Sequence, residues 1–387
     1  MANYDYEIVN GRKIRVRPKE TVSEIDKNGY FRRQPNHFTT PFGDGENDLK
    51  AEGNKRYRLV WAKLCHWSNR AAIVRELEGL EDQISVNMVE HAPHEKNLGW
   101  EYVYNENNID PVLGDQFLSE AYYRADDDYQ GRTTVPALID TTTGKVVNND
   151  YNWLTTYFEV NFRPWHKKGA PELYPVELRE EIDKMNLWLF DNINNAVYRS
   201  SFSRSNEGHF AGVNTFYAAM DRLEKRLETN RFLFGDYVTD SDIRLYVTLA
   251  RLDIRYTAQL GETKHPLYTY KNLWGYAKEL WEIPAFKNNT FFADFAVPPA
   301  DAKGRIEGEK DGFRASTHYD LALPKIDWDA QWKVSTERAY LSSDPTHPIY
   351  LGNNRRFDID PTWYDLGAES PKKEEKETPP SCGCCCG

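Results

Sequence analysis

The sequence predicts an α/β domain followed by an all-helical domain, and three observations carry that prediction. Short strand-like runs rich in β-branched and aromatic residues fall before residue 150, and apolar repeats at helical spacing dominate from residue 177 onward. A solitary cysteine, Cys65, stands where the first strand gives way to the first helix. A chain of 387 residues with 40% hydrophobic content buries a sizeable core, and its length suits two domains with extensions.

Residues 1–50 are polar, carry Gly, Pro and Asn breakers and lack sustained periodicity, so they are expected to form an extended arm over a folded body. Residues 56–64 (RYRLVWAKL) read as a strand. In residues 67–80, Ala71, Val74 and Leu77 mark one apolar helical face. Strands follow at 84–89, 135–139 and 145–147, the last two separated by a turn at Thr143 and Gly144, and 154–162 reads as a helix. Residues 51–165 thus run strand, helix, strand, long loop, strand, strand, helix, the layout of a thioredoxin-like domain. Helical patterns at 177–195, 208–229, 240–260 and 273–282 place an all-helical domain at 175–300. Residues 301–366, with aromatics and Pro and Asp breakers, are expected to wrap the body. Residues 367–387 combine a charged low-complexity linker, PKKEEKETPP, with the tail SCGCCCG, and are expected to be disordered.

The net charge of −11 repels phosphate backbones and anionic lipid, so neither nucleic acid nor membrane is an expected partner. No run of about 18 apolar residues is present, and the opening MANYDYEIVNGRKIRVRPKE is charged where a secretory signal needs an apolar stretch, which predicts a soluble, cytoplasmic protein. The 24 Tyr and 11 Trp suit flat organic ligands, although large cores and interfaces account for the same excess. Four of the five cysteines, Cys382, Cys384, Cys385 and Cys386, crowd into the tail, which is no disulfide framework. They leave open soft-metal binding, thiol exchange with Cys65, lipidation or no role at all, and no metal site is assigned.

A cysteine at a helix N-terminus meets unpaired N–H groups and the positive end of the helix dipole, which favour the thiolate. Cys65 is therefore a candidate nucleophile, with a buried structural thiol as the alternative reading. His66 and Arg70 follow it in LCHWSNR as polar or positive neighbours, and an imidazolium at His66 would support the thiolate. Position 68 is Ser, so a CxxC dithiol cycle is excluded and an outside thiol or the tail must resolve an oxidised Cys65. Pro136, in GRTTVPAL, leaves neighbouring backbone free to pair with an extended ligand, or is an ordinary edge-strand proline.

The blocks GYFRRQPNHF (29–38), AEGNKRYRLV (51–60), LCHWSNR (64–70), NLGWEY (97–102), IDPVLGDQFLSEAYYRADDDYQGRTTVPALID (109–140), INNAVYRSSF (193–202) and FLFGDYVTDSDIRLYVTLARLDIRY (232–256) resemble the glutathionyl-hydroquinone reductases over roughly residues 25–320. The resemblance implies a thioredoxin-like domain followed by an all-helical glutathione-transferase domain, a cis Pro136 facing Cys65, a homodimer, and glutathione as co-substrate beside an aromatic substrate. It implies Cys65 as catalytic thiol, with Trp100, Arg132, Val135, Asp150 and Tyr151 as glutathione contacts and Tyr198, Tyr256 and Tyr319 as hydroquinone contacts. The chain departs from the family twice. Cys-Pro-Trp-Ala-His-Arg is here Cys65-His66-Trp67-Ser68-Asn69-Arg70, and Asn-Asn-Glu-Ser is here Asn148-Asn149-Asp150-Tyr151, where a bulky ring replaces a small hydroxyl at the γ-glutamyl position. Another low-molecular-weight thiol, or a non-catalytic binding role, is the alternative these departures leave open.

Overall fold

The computed structural model describes residues 4–17, 23–91, 98–260, 266–295, 327–333 and 338–342. Its centre is a four-stranded sheet of order β4-β3-β7-β8, built from β3 (Tyr57–Trp61), β4 (Ile84–Met88), β7 (Ala137–Asp140) and β8 (Lys145–Asn148). Strands β3 and β4 are parallel, and β7 runs antiparallel to both β3 and β8. All five residues of β3 are buried because both faces of the sheet are covered. Tyr57 and Leu59 pack with Ala71, Val74 and Leu77 of helix α1 (His66–Leu77) and Phe158 of α3 (Leu154–Val160). Val60 faces the other way, onto Leu118, Ala121 and Tyr122 of α2 (Leu118–Ala125), as the alternation of side chains along a strand requires.

Two expectations needed correction in this half. The arm is not uniformly extended: β1 (Tyr6–Val9) and β2 (Arg12–Arg15) form a hairpin around Asn10 and Gly11, and Ile14 packs with Leu98 and Phe117. The long loop between β4 and β7 holds α2 and a short hairpin of β5 (Glu90–His91) and β6 (Trp100–Glu101). Both were missed for the same reason, since elements of two to eight residues are too short to show a period.

The helical half is built from α4 (Arg179–Leu189), α5 (Ala196–Phe202), α6 (Asn206–Arg226), α7 (Asp240–Arg251), α8 (Thr257–Leu260) and α9 (Lys271–Trp281). Helix α7 is buried along its whole length and packs against α1 of the first half as well as α4 and α9. Thr239 is its N-cap residue, and the Asp242 carboxylate accepts from the Thr239 N–H at 2.8 Å and from the Leu233 N–H at 2.9 Å. Helices α5 and α6 touch backbone to backbone at Gly212, where a Cβ would come within 2.6 Å of Ser200 N. Of the expected wrapping segment, residues 327–333 and 338–342 are described, and Trp332 meets Trp274 edge-on and Phe292 at a tilt. Tyr319 and the four tail cysteines lie outside the described residues.

Where the halves meet, Asp240 accepts from Arg244 Nε at 2.6 Å and Asn186 Nδ2 at 2.9 Å. The fully buried Glu159 of α3 lies close enough to feel the Asp240 charge, and burial first, then that charge, raises its pKa well above the usual carboxylate range. Folding therefore favours its protonated form. The native state binds the extra proton, so stability falls as pH rises from the ordinary glutamate range through the raised folded value, by at most about 1.4 kcal/mol per pH unit. Urea melts from weakly acid to weakly alkaline pH are expected to show that decline, and Glu159→Gln to flatten it; an unchanged slope in the variant would assign the decline elsewhere.

Candidate active site

Cys65 is the N-cap of α1, in extended conformation at φ −83° and ψ 114°. The turn that delivers it from β3 is closed by Cys65 N–H donating to Ala62 O at 2.9 Å and by Ser68 Oγ bonding the Ala62 backbone. The thiol is half-exposed, and its sulfur lies 3.7 Å from the carbonyl oxygen of Val135. The Val135–Pro136 peptide is cis, so the bond that opens β7 faces the sulfur, as the resemblance implied.

The segment before Cys65 is held from the other half of the molecule. Arg251, fully buried at the end of α7, donates to Lys63 O at 2.7 Å, Leu64 O at 2.9 Å, Asn69 Oδ1 at 3.1 Å and Val247 O at 2.8 Å. Asn69 in turn donates to Asn289 O at 2.8 Å. Arg70 is also fully buried, donating to Asn194 Oδ1 at 2.7 Å, and burial pushes its pKa down to about 9. Arg70 and Arg251 both interact electrostatically with Cys65. The sequence had offered Arg70 as a neighbour but gave no sign of Arg251, which is 186 positions away at the far end of α7.

His66 does not play the part expected of it. Its ring is completely buried, with Nδ1 3.0 Å from Thr248 Oγ1 and contacts to Trp67, Tyr198 and Tyr256. Burial, followed by the charges of Arg70 and Arg251, drives its pKa well below 6.5. It is a neutral imidazole in the domain interface rather than an imidazolium supporting a thiolate, because burial and the charges of four arginines disfavour its protonation.

The remaining candidates fall on two sides of Cys65. Trp100 is half-buried in β6, its ring 5.4 Å from that of His91. Arg132 and Val135 lie on the approach to the cis bond, and the Arg132 guanidinium is paired with Glu24 of the arm. Asp150 follows β8 and accepts from Asn36 Nδ2 at 2.8 Å and from Asn152 N–H at 3.0 Å. Tyr151 is buried against Trp67, 4.7 Å between ring centroids, and stacks on Phe190 at 6.1 Å. From the helical half, Tyr198 and Tyr256 approach with centroids 6.5 Å apart and both interact electrostatically with Cys65. Burial raises the pKa of both phenols, so each remains a neutral hydrogen-bond donor. Each follows or ends a π-helical turn, Phe190–Asn194 before Tyr198 and Leu252–Tyr256 at Tyr256, closed by Asn195 N–H to Phe190 O and Thr257 N–H to Leu252 O. Arg33, which the sequence did not single out, lies over Trp67 at 4.4 Å and Tyr198 at 4.6 Å.

Residues 202–279 match the family profile described as "Glutathione S-transferase, C-terminal domain". A protein of Schizosaccharomyces pombe named "Glutathione S-transferase omega-like 2" is 34% identical over 277 residues, covering 69% of this chain and 87% of the relative. The chain belongs to the glutathione transferase family. Within this family it is similar to the Escherichia coli "Glutathionyl-hydroquinone reductase YqjG", 33% identical over 237 residues, 61% of this chain and 72% of that protein. The glutathione-bound structure of YqjG superposes with a TM-score of 0.61, covering 69% of this chain and 87% of the other. The Xi glutathione transferase of Phanerochaete chrysosporium matches with a TM-score of 0.64 at 33% identity, covering 70% and 87%. These relatives place the thioredoxin-like and helical halves of this transferase in the Xi-class, omega-like branch. Among its described residues no helix is long and apolar enough to cross a membrane, and no group of His, Cys, Asp and Glu is arranged to hold a metal.

Proposed function

We propose that this protein reduces glutathionyl-hydroquinones, with glutathione as co-substrate and Cys65 as the nucleophile. The observation that carries the reading is the half-exposed Cys65 thiol at the N-terminus of α1, set between the cis Val135–Pro136 bond and the Tyr198–Tyr256 pair. In the first step the thiolate attacks the glutathionyl sulfur, the sulfur–aryl bond breaks, and the ring carbon takes up a proton to give hydroquinone and a Cys65–glutathione disulfide. In the second, a glutathione thiolate attacks the glutathionyl sulfur of that disulfide, releasing glutathione disulfide and the Cys65 thiolate. Trp100, Arg132, Val135, Asp150 and Tyr151 line the thiol side. Tyr198, Tyr256 and Tyr319 serve the aromatic side, where neutral phenols suit a quinol oxygen. The working boundaries are 1–50 for the arm, 51–165 and 175–300 for the two domains and 301–366 for the extension, in a cytoplasmic homodimer.

A second reading, transfer of another low-molecular-weight thiol, is favoured by Tyr151, whose buried ring occupies the position at which the resemblance implies a small serine hydroxyl. A non-catalytic scaffold is disfavoured by the exposure of Cys65. Incubating the full chain with a glutathionyl-hydroquinone and mapping adducts by peptide mass spectrometry tests the proposal. Hydroquinone release with glutathione added at Cys65 is expected. Release without that adduct would remove Cys65 from the mechanism, and adducts formed only from cysteine or bacillithiol donors would establish the second reading.

A further inference from the structure

The arm meets the thiol side of the site through several contacts. Asn36 bonds Asp150, Arg33 lies 5.5 Å over the Tyr151 ring, and Glu24 is bound side-on to Arg132 through Nε at 2.7 Å and Nη2 at 2.9 Å. The Glu24 carboxylate is also held by the Gln34 N–H at 2.8 Å, while the Gln34 side chain pairs both ways with the Arg132 backbone, accepting from its N–H at 2.9 Å and donating to its carbonyl at 3.1 Å. Arg17 and Arg33 lie near enough for their charges to act on the same pair. Glu24 is only 18% exposed in its side chain, so this is a built-in ion pair rather than a passing surface contact.

A guanidinium has one such side-on fork at Nε and Nη2, and two parallel bonds there are how arginine recognises a ligand carboxylate. Here the fork is taken by the protein's own carboxylate. We propose that Glu24 is a specificity-determining residue of the thiol site, competing with a carboxylate-bearing thiol for Arg132 and leaving carboxylate-free thiols unaffected. The inference rests on the reading of Arg132 as a thiol contact. Cys65 then selects among donors R–S–S–R in the exchange Cys65–S⁻ + R–S–S–R → Cys65–S–S–R + R–S⁻, in which one disulfide is exchanged for another and no outside oxidant or reductant takes part.

The test compares two donors on the full chain: glutathione disulfide, which carries carboxylates, and bis(2-hydroxyethyl) disulfide, which carries none. Rates of labelling at Cys65 are read by peptide mass spectrometry for the wild type and for Glu24→Gln, which removes the charge but keeps the side chain's size. The expected result is that Glu24→Gln speeds labelling by glutathione disulfide about tenfold, the scale of one charge-assisted competitor, and leaves the neutral donor within about twofold. The neutral donor is also the control for an intact fold. Equal acceleration of both donors would show a simple covering of Cys65 and overturn the proposal, as would an unchanged or slower reaction with glutathione disulfide, or no labelling by it in either protein. Hydroquinone release is a separate readout: its failure would sink the substrate assignment while the donor ratio still judged Glu24.

Discussion

Replacing Cys65 with serine is expected to abolish hydroquinone release and every adduct at position 65. The hydroxyl stays protonated at neutral pH and is a poor nucleophile toward sulfur, so an N-cap serine keeps the geometry and loses the chemistry. The helix should be undisturbed or slightly better capped, because serine is a preferred N-cap and Cys65 makes no side-chain capping bond. The measurement is therefore paired: thermal unfolding unchanged or raised, and release reduced to the uncatalysed rate. Substantial release from the serine variant would mean that glutathione attacks the substrate directly, with the protein only holding the two together.

Arg251→Ala is expected to have the second largest effect, although this residue is not placed on the substrate. Four hydrogen bonds of a buried guanidinium are lost, and the carbonyls of Lys63 and Leu64 are left without their donor, a combination that costs about 3 kcal/mol or more. The same bonds fix the segment that presents Cys65. Displacement of a reacting group by about 1 Å costs about 100-fold in rate, so kcat/KM should fall at least that far at temperatures where the variant is still folded. Arg251→Lys should not restore it, since an ammonium cannot reach four acceptors spread around a planar fork. Urea unfolding and kcat/KM together check the claim; a stable, fully active alanine variant would show that the loop holds itself.

Why some of this was legible in the sequence and some was not follows from range. The β3 to α1 junction could be read because a strand, a cysteine and a helical repeat are contiguous, and the structure has them at Tyr57–Trp61, Cys65 and His66–Leu77. His66 was misjudged because a residue next to Cys65 in sequence points into the interface with α7, where Thr248 and a ring of arginines decide its charge. Glu24, Arg33 and Arg251 were not singled out for the same reason. Their importance lies in pairings that span from 34 to 188 positions, and no local pattern records these.

The π turns at Phe190–Asn194 and Leu252–Tyr256 carry one further consequence. Each loop of chain closed by a bond five residues on rather than four holds one surplus residue, so each has the form of a single-residue insertion absorbed without breaking a helix. An α-helix turns about 100° per residue. Deleting one residue from the second turn would restore a regular helix and swing everything beyond it by about that angle. Tyr256, the tyrosine that ends it, would then be carried off the Cys65 side of the helix, so the orientation of this phenol is set by a count of residues.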